Sequence, residues 1–135
     1  MLPSVIHKKT YNHANRHLPI AAYQSDYDIQ FLGHVSKGIL RDTQTLLPYI
    51  SSINVSDQNG STALHYASSN GAMNIVRFLL IHNADINAVN DAGQTPLHLA
   101  VANNHLMITK LLMKHNADTT LTDNEGRDLI DYALA

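Results

Sequence analysis

Sliding the sequence over itself by 33 residues brings Gly60, Gly93 and Gly126 into register. The same shift aligns Leu64, Leu97 and Ile130, then Ala67, Ala100 and Ala133. His65 pairs with His98, Leu79 with Leu112, and Ala84-Asp85 with Ala117-Asp118. The matches run through a whole period without a gap. A fixed period of this size means one supersecondary unit copied along the chain, and it excludes most single-core folds. The 135 residues, 44% of them hydrophobic, suffice for a few such units sharing one core.

Each unit reads as two short helices and a connection. Thr62 and Thr95 are good N-caps, since a side-chain oxygen can accept an orphan amide hydrogen of the first turn. Pro96 follows its cap at the first helical position, where the missing N–H costs nothing. First helices are predicted over 63–70 and 96–103, closed by Gly71 and Asn104, two residue types that tolerate left-handed backbone. Second helices follow. Ile75, Val76, Phe78 and Leu79 in one unit, and Ile108, Leu111 and Leu112 in the next, make one apolar face. Asn83 and Asn116 close them, and polar, extended connections lead to the next glycine. A helix pair with a single apolar face cannot bury it alone, so the pairs must stack. The expected fold is all-α, a helical solenoid with no separate sheet.

Asn59-Gly-Ser-Thr-Ala-Leu-His-Tyr-Ala67 and Ala92-Gly-Gln-Thr-Pro-Leu-His-Leu-Ala100 resemble the signature of the ankyrin-repeat family. So do Leu79-Leu-Ile-His-Asn-Ala-Asp-Ile-Asn-Ala88 and Leu111-Leu-Met-Lys-His-Asn-Ala-Asp118, the second departing at Thr119-Thr120. The resemblance covers roughly 25–135 and implies an ankyrin solenoid of about three and a half repeats. Its expected division is a leader over 1–24, weakly ordered or packed on the cap, a degenerate capping repeat over 25–56, repeats over 57–89 and 90–122, and a half repeat over 123–135. In the capping repeat, helices are expected near 26–36 and 40–50. Asp42, Thr43 and Thr45 replace Ile75, Val76 and Phe78 there and read as the polar outer face of a terminal unit. At the other end only a first helix is supplied. The preceding second helix is expected to keep part of its apolar flank exposed, so the chain is either a piece of something longer or meets a partner at that edge, self-association included.

The resemblance also implies structural roles for Gly60, Thr62, His65, Gly71, Gly93, Thr95, Pro96, His98 and Gly126, with the two imidazoles hydrogen-bonding backbone between repeats. Asn54 and Asn87 occupy the position that asparaginyl hydroxylases modify in animal members of the family. Ankyrin proteins bind other proteins through hairpin tips and the first-helix face. Carried over position by position, this selects Gln58, Asn59, Ser61, Ser69 and Asn70, then Asp91, Ala92, Gln94, Ala102 and Asn103, then Asn124, Glu125 and Arg127. Asp57, Asp91, Asp123, Glu125, Asp128 and Asp131 cluster toward the same side, whereas Arg77, Lys110 and Lys114 belong to second helices. A partner with a basic or polar patch is therefore expected at the hairpins.

Other chemistry finds little footing. Net charge is −2 and the isoelectric point is near 6.5, which argues against nucleic acid as a partner. Residues 42–135 are acidic, at −5. Residues 1–41 carry +3, with Lys8, Lys9 and Arg16 joining His7, His13 and His17 in a weak basic patch. No apolar run approaches the roughly 18 residues of a membrane span. Cysteine is absent, which suits an intracellular, cytoplasmic protein, as would a protein delivered into another cell. Nine histidines invite a metal reading, but His82 and His115 sit on helices ~8–10 Å apart. That is too far to share a zinc at about 2.0–2.1 Å each. His13 and His17 lack a third ligand. No nucleophile elbow or phosphate loop is present, and Asp128 with Asp131 reads better as a solvated acidic face than as a catalytic pair. No cofactor, metal or catalytic residue is expected. The expected function is a non-catalytic interaction module, an adaptor, regulator or inhibitor. Alternatives are an ankyrin fragment of a larger scaffold, channel or enzyme, and a microbial effector or toxin-neutralising protein.

Overall fold

The computed structural model describes residues 25–135. The expectations for the leader, its basic patch and the His13/His17 pair lie outside the described residues. Within them, seven α-helices run in order: α1 (Asp26–Ser36), α2 (Leu40–Leu46), α3 (Ala63–Asn70), α4 (Met73–Ile81), α5 (Pro96–Ala102), α6 (Leu106–Lys114) and α7 (Leu129–Leu134). A 3-10 turn over Leu47–Tyr49 extends α2, tightened where Pro48 removes an amide. No strand forms among the described residues, and Ser56 and Thr62 make an isolated antiparallel bridge. The chain is an all-α repeat solenoid.

Helices α3, α5 and α7 start with the same reciprocal cap, whereas at α1 Ser25 Oγ accepts the Asp28 amide alone. Thr62 Oγ1 accepts the His65 amide while His65 Nδ1 accepts the Thr62 amide at 3.1 Å. Thr95 and His98 repeat the pair, and Asp128 with Asp131 builds it from two carboxylates. Two orphan amides are satisfied at each start. The predicted left-handed closures form at Gly71, Asn83, Asn104 and Asn116.

Helices α1, α3, α5 and α7 stack as one layer, and α2, α4 and α6 as the other. Ala67 and Ala100, both fully buried, let neighbouring first helices approach closely. Phe31, Val35 and Leu46, then Leu64, Ile75, Val76 and Leu79, then Leu97, Ile108 and Leu112 form one continuous core between the layers. Each fully buried large side chain contributes roughly 1.5–3 kcal/mol relative to exposure.

The first helix pair departs from expectation at Thr43. It was expected on a polar outer face but is completely buried, occupying the place that Val76 takes in the next unit. Its hydroxyl donates to the Ile39 carbonyl at 2.8 Å, so the polar atom is satisfied at the start of its own helix and the methyl faces the core. Asp42 and Thr45 do reach solvent. At the far end, Leu106, Met107 and Met113 of α6 and Ile130 and Leu134 of α7 are exposed.

Candidate functional site

The connections between helix pairs are built on one plan. Asp57, Asn90 and Asp123 open the three turns, and their amides donate to the carbonyls of Ser61, Gln94 and Arg127, each at 3.0 Å. A side-chain oxygen of each opener then accepts two later amides. Asp57 Oδ1 takes those of Asn59 and Ser61, Asn90 Oδ1 those of Ala92 and Gln94, and Asp123 Oδ1 those of Glu125 and Arg127. The glycine that follows stands at φ 74° to 77° in all three turns. Sequence reasoning counted Asp57 and Asp123 as surface charge and passed over Asn90. The signal was an Asp or Asn three residues before every register glycine.

Turns are laddered to one another. The Asp91 amide donates to the Asn59 carbonyl at 2.9 Å, and the Asn124 amide to the Ala92 carbonyl at 3.0 Å. Asn124 Nδ2 adds a bond to the Asp91 carbonyl at 2.7 Å. A second ladder runs along the ends of the first helices, where Asn70 Nδ2 donates to the Ser36 carbonyl and Asn103 Nδ2 to Ser69 Oγ. A third joins the loops after the second helices, where Asn54 Oδ1 accepts the Asp85 amide and Asn87 Oδ1 the Asp118 amide.

These ladders divide the residues selected from sequence. Gln58, Asn59, Asp91 and Glu125 stand exposed at the tips. The side chains of Gln58, Asn59 and Asp91 have no hydrogen-bond partner among the described residues. Ala92 and Ala102 are exposed, and Ser61 and Ser69 are half-buried. Asn70, Asn103 and Asn124 are taken up in the ladders. Gln94 accepts from Asn90 and donates to the Tyr132 hydroxyl at 3.1 Å. Arg127 Nε donates to Asp123 Oδ2 at 2.8 Å, and its guanidinium lies 5.4 Å from the centre of the Tyr132 ring.

Two acids expected on the surface are internal fasteners. Asp123 is buried and accepts from the Tyr132 hydroxyl at 2.6 Å as well as from Arg127. The Tyr132 hydroxyl, with help from Arg127, outweighs burial and holds this carboxyl far below the usual carboxylate range. Burial raises Asp57, but the Tyr66 hydroxyl and the amides of Ser61 and Asn59 more than offset that, leaving it below its ordinary value. The bond to Asp57 pushes the Tyr66 phenol up to about 12. Asp128 and Asp131 spend one oxygen each on the α7 cap. Asp57 keeps its charge while serving these bonds, Arg127 pairs with Asp123 and, at 3.8 Å, with Glu125, and Asp91 is left as the tip carboxylate with no partner among the described residues.

His65 Nε2 bonds the Gln94 carbonyl at 2.8 Å and His98 Nε2 the Leu121 carbonyl at 2.9 Å. Both imidazoles are buried between units, as the family resemblance implied. His82 packs against Phe78 with the two rings tilted by 60°, and His115 Nδ1 bonds the Leu111 carbonyl. Among the described residues no three His, Asp or Glu side chains converge to hold a metal ion. No described helix is long and apolar enough to cross a membrane.

A family model described as ankyrin repeats, in three copies, matches residues 31–123, more than half of the chain. No curated protein matches it.

Proposed function

Because the chain belongs to the ankyrin-repeat family, we propose that it is a non-catalytic adaptor, regulator or inhibitor that grips a partner protein through its hairpin tips and first-helix face. Ankyrin repeats are generally protein–protein interaction modules. One observation carries the placement. The tip backbones are locked into a ladder, yet Gln58, Asn59 and Asp91 project from it without partners among the described residues. A rigid backbone bearing uncommitted polar groups loses little entropy on binding. Ser69, Asn70, Ala102 and Asn103 floor the same surface, and Gln94, Asn124 and Arg127 brace it from behind. Asp91 and Glu125 favour a partner with a basic or polar patch, mainly through orientation and association rate. The lack of cysteine supports an intracellular setting.

Affinity capture from the native source followed by mass spectrometry identifies the partner. The double variant Asp91→Lys/Glu125→Lys then weakens binding and lowers its salt sensitivity while the helical circular dichroism stays intact. Unchanged affinity refutes the assignment.

A further inference from the structure

The second-helix layer carries the opposite chemistry. Helices α4 and α6 hold Arg77, Lys110 and Lys114 and not one aspartate or glutamate. The nearby acids Asp85 and Asp118 belong to loops beyond the C-terminal ends of these helices. All three cations are exposed, and no described carboxylate lies within ion-pair distance of them. The helix dipole accounts for Lys114, in the last turn of α6. It does not account for Arg77 and Lys110, which stand in mid-helix.

Apolar bulk sits among these charges. Ile81 is 74% exposed and Met107 64%. In the 33-residue register Met107 follows Asn74, Lys110 follows Arg77 and Lys114 follows Ile81. Charged and apolar groups thus interleave across the layer. Between α4 and α6 lies a slot of about 180 Å³ lined by Arg77, Leu80, Ile81, Leu111 and His115.

We propose that this outer face of α4 and α6 is a second docking surface, for a protein segment in which a large apolar side chain is flanked by carboxylates. The apolar side chain fills the slot, and the acids meet Arg77, Lys110 and Lys114. An anionic membrane would satisfy the charge, but lipid recognition of this kind uses clusters of about 4–8 cations. A cleft between two helices, with Arg77 in its wall and Lys110 and Lys114 exposed on α6, selects a side chain instead. The two layers then offer opposite charge to different partners, and neither occupies the other's surface.

The test pans a random peptide library displayed on phage against the immobilised full chain. The expected result is enrichment of peptides with Asp or Glu beside Leu, Ile or Phe. Affinity of the enriched peptides falls at least about tenfold in Arg77→Glu/Lys110→Glu and in Ile81→Asp, and is unchanged in Asp91→Lys/Glu125→Lys. All of these positions are exposed, and circular dichroism verifies folding. No enrichment, enrichment of another composition, or affinity indifferent to Arg77→Glu/Lys110→Glu overturns the proposal. So does Arg77-dependent sedimentation with phosphatidylserine vesicles in the absence of selected peptides, which assigns the face to lipid. The hairpin variants read the other surface, so failure of one assignment leaves the other standing.

Discussion

The imidazole of His65 donates from Nε2 to the carbonyl of Gln94, one repeat further on, while its Nδ1 accepts the amide of Thr62. A carbonyl can only accept and a backbone amide can only donate, so the bonds fix the neutral ring with its proton on Nε2. One side chain thereby closes the start of α3 and fastens it to the neighbouring turn. A proton added to Nδ1 removes the acceptor that the cap requires.

Stability should therefore fall in mild acid. Burial holds His65 below its ordinary value of 6.5, against the Gln94 bond, which favours the charged form. The folded state then binds fewer protons than the unfolded chain. Its contribution is complete above that value and is lost as pH falls through it toward the folded value. Urea midpoints should be flat above the ordinary value of 6.5 and decline as pH falls below it, with a smaller decline in His65→Gln. An identical decline in the variant would show that His65 is not the titrating group.

The hairpin glycines separate backbone strain from crowding. Gly93 and Gly126 share φ 77°. A methyl on Gly93 would lie 2.4 Å from Asn124 Oδ1 and 2.7 Å from its amide nitrogen, whereas nothing lies within 4 Å at Gly126. Gly126→Ala should cost about 1–2 kcal/mol, the left-handed penalty alone. Gly93→Ala should cost more, by an additional ~1–3 kcal/mol for overpacking against the ladder. Equal losses in chemical denaturation would mean that the contact between turns relaxes freely.

Register-equivalent leucine and isoleucine should differ just as clearly. Leu97 is 1% exposed and Ile130 66%. Leu97→Ala should cost roughly 2–5 kcal/mol through lost burial and a cavity. Ile130→Ala should cost under ~1 kcal/mol. A comparable cost at both positions in a denaturant series would contradict the exposure of α7.

The Asp57–Tyr66 pair predicts a phenol that ionises late. Its carboxylate raises Tyr66 to about 12. A group raised in the folded state stabilises below its unfolded value of 10.0 and loses that contribution as pH climbs through the folded one. Ultraviolet titration should resolve this phenol, and Tyr66→Phe should abolish it. Asp57 makes the reverse contribution. Its pKa is lowered, so its share is present above 3.8 and is lost as pH falls through the folded value.

Thr43→Val should change stability by under ~1 kcal/mol, since the hydroxyl and its one bond among the described residues, to the Ile39 carbonyl just before α2, disappear together. A larger loss in thermal melts would reveal a second role for the hydroxyl.

Sequence alone determined the period, the helix pairs, the Thr62 and Thr95 caps and the left-handed closures at Gly71 and Asn104. Each depends on neighbours within a few residues, or on a copy of the same pattern one period away. Tertiary structure alone decided which surface polar groups are free. Asp123, Gln94 and Asn124 look like Asp91 and Gln58 in the chain, but Tyr132 and the adjoining turns claim the first three and leave the others exposed. Thr43 was misjudged for the same reason: a helical position declares its face, but not what will be stacked against it. Solvent exposure depends on contacts between distant parts of the chain, and these exist only once the repeats have packed.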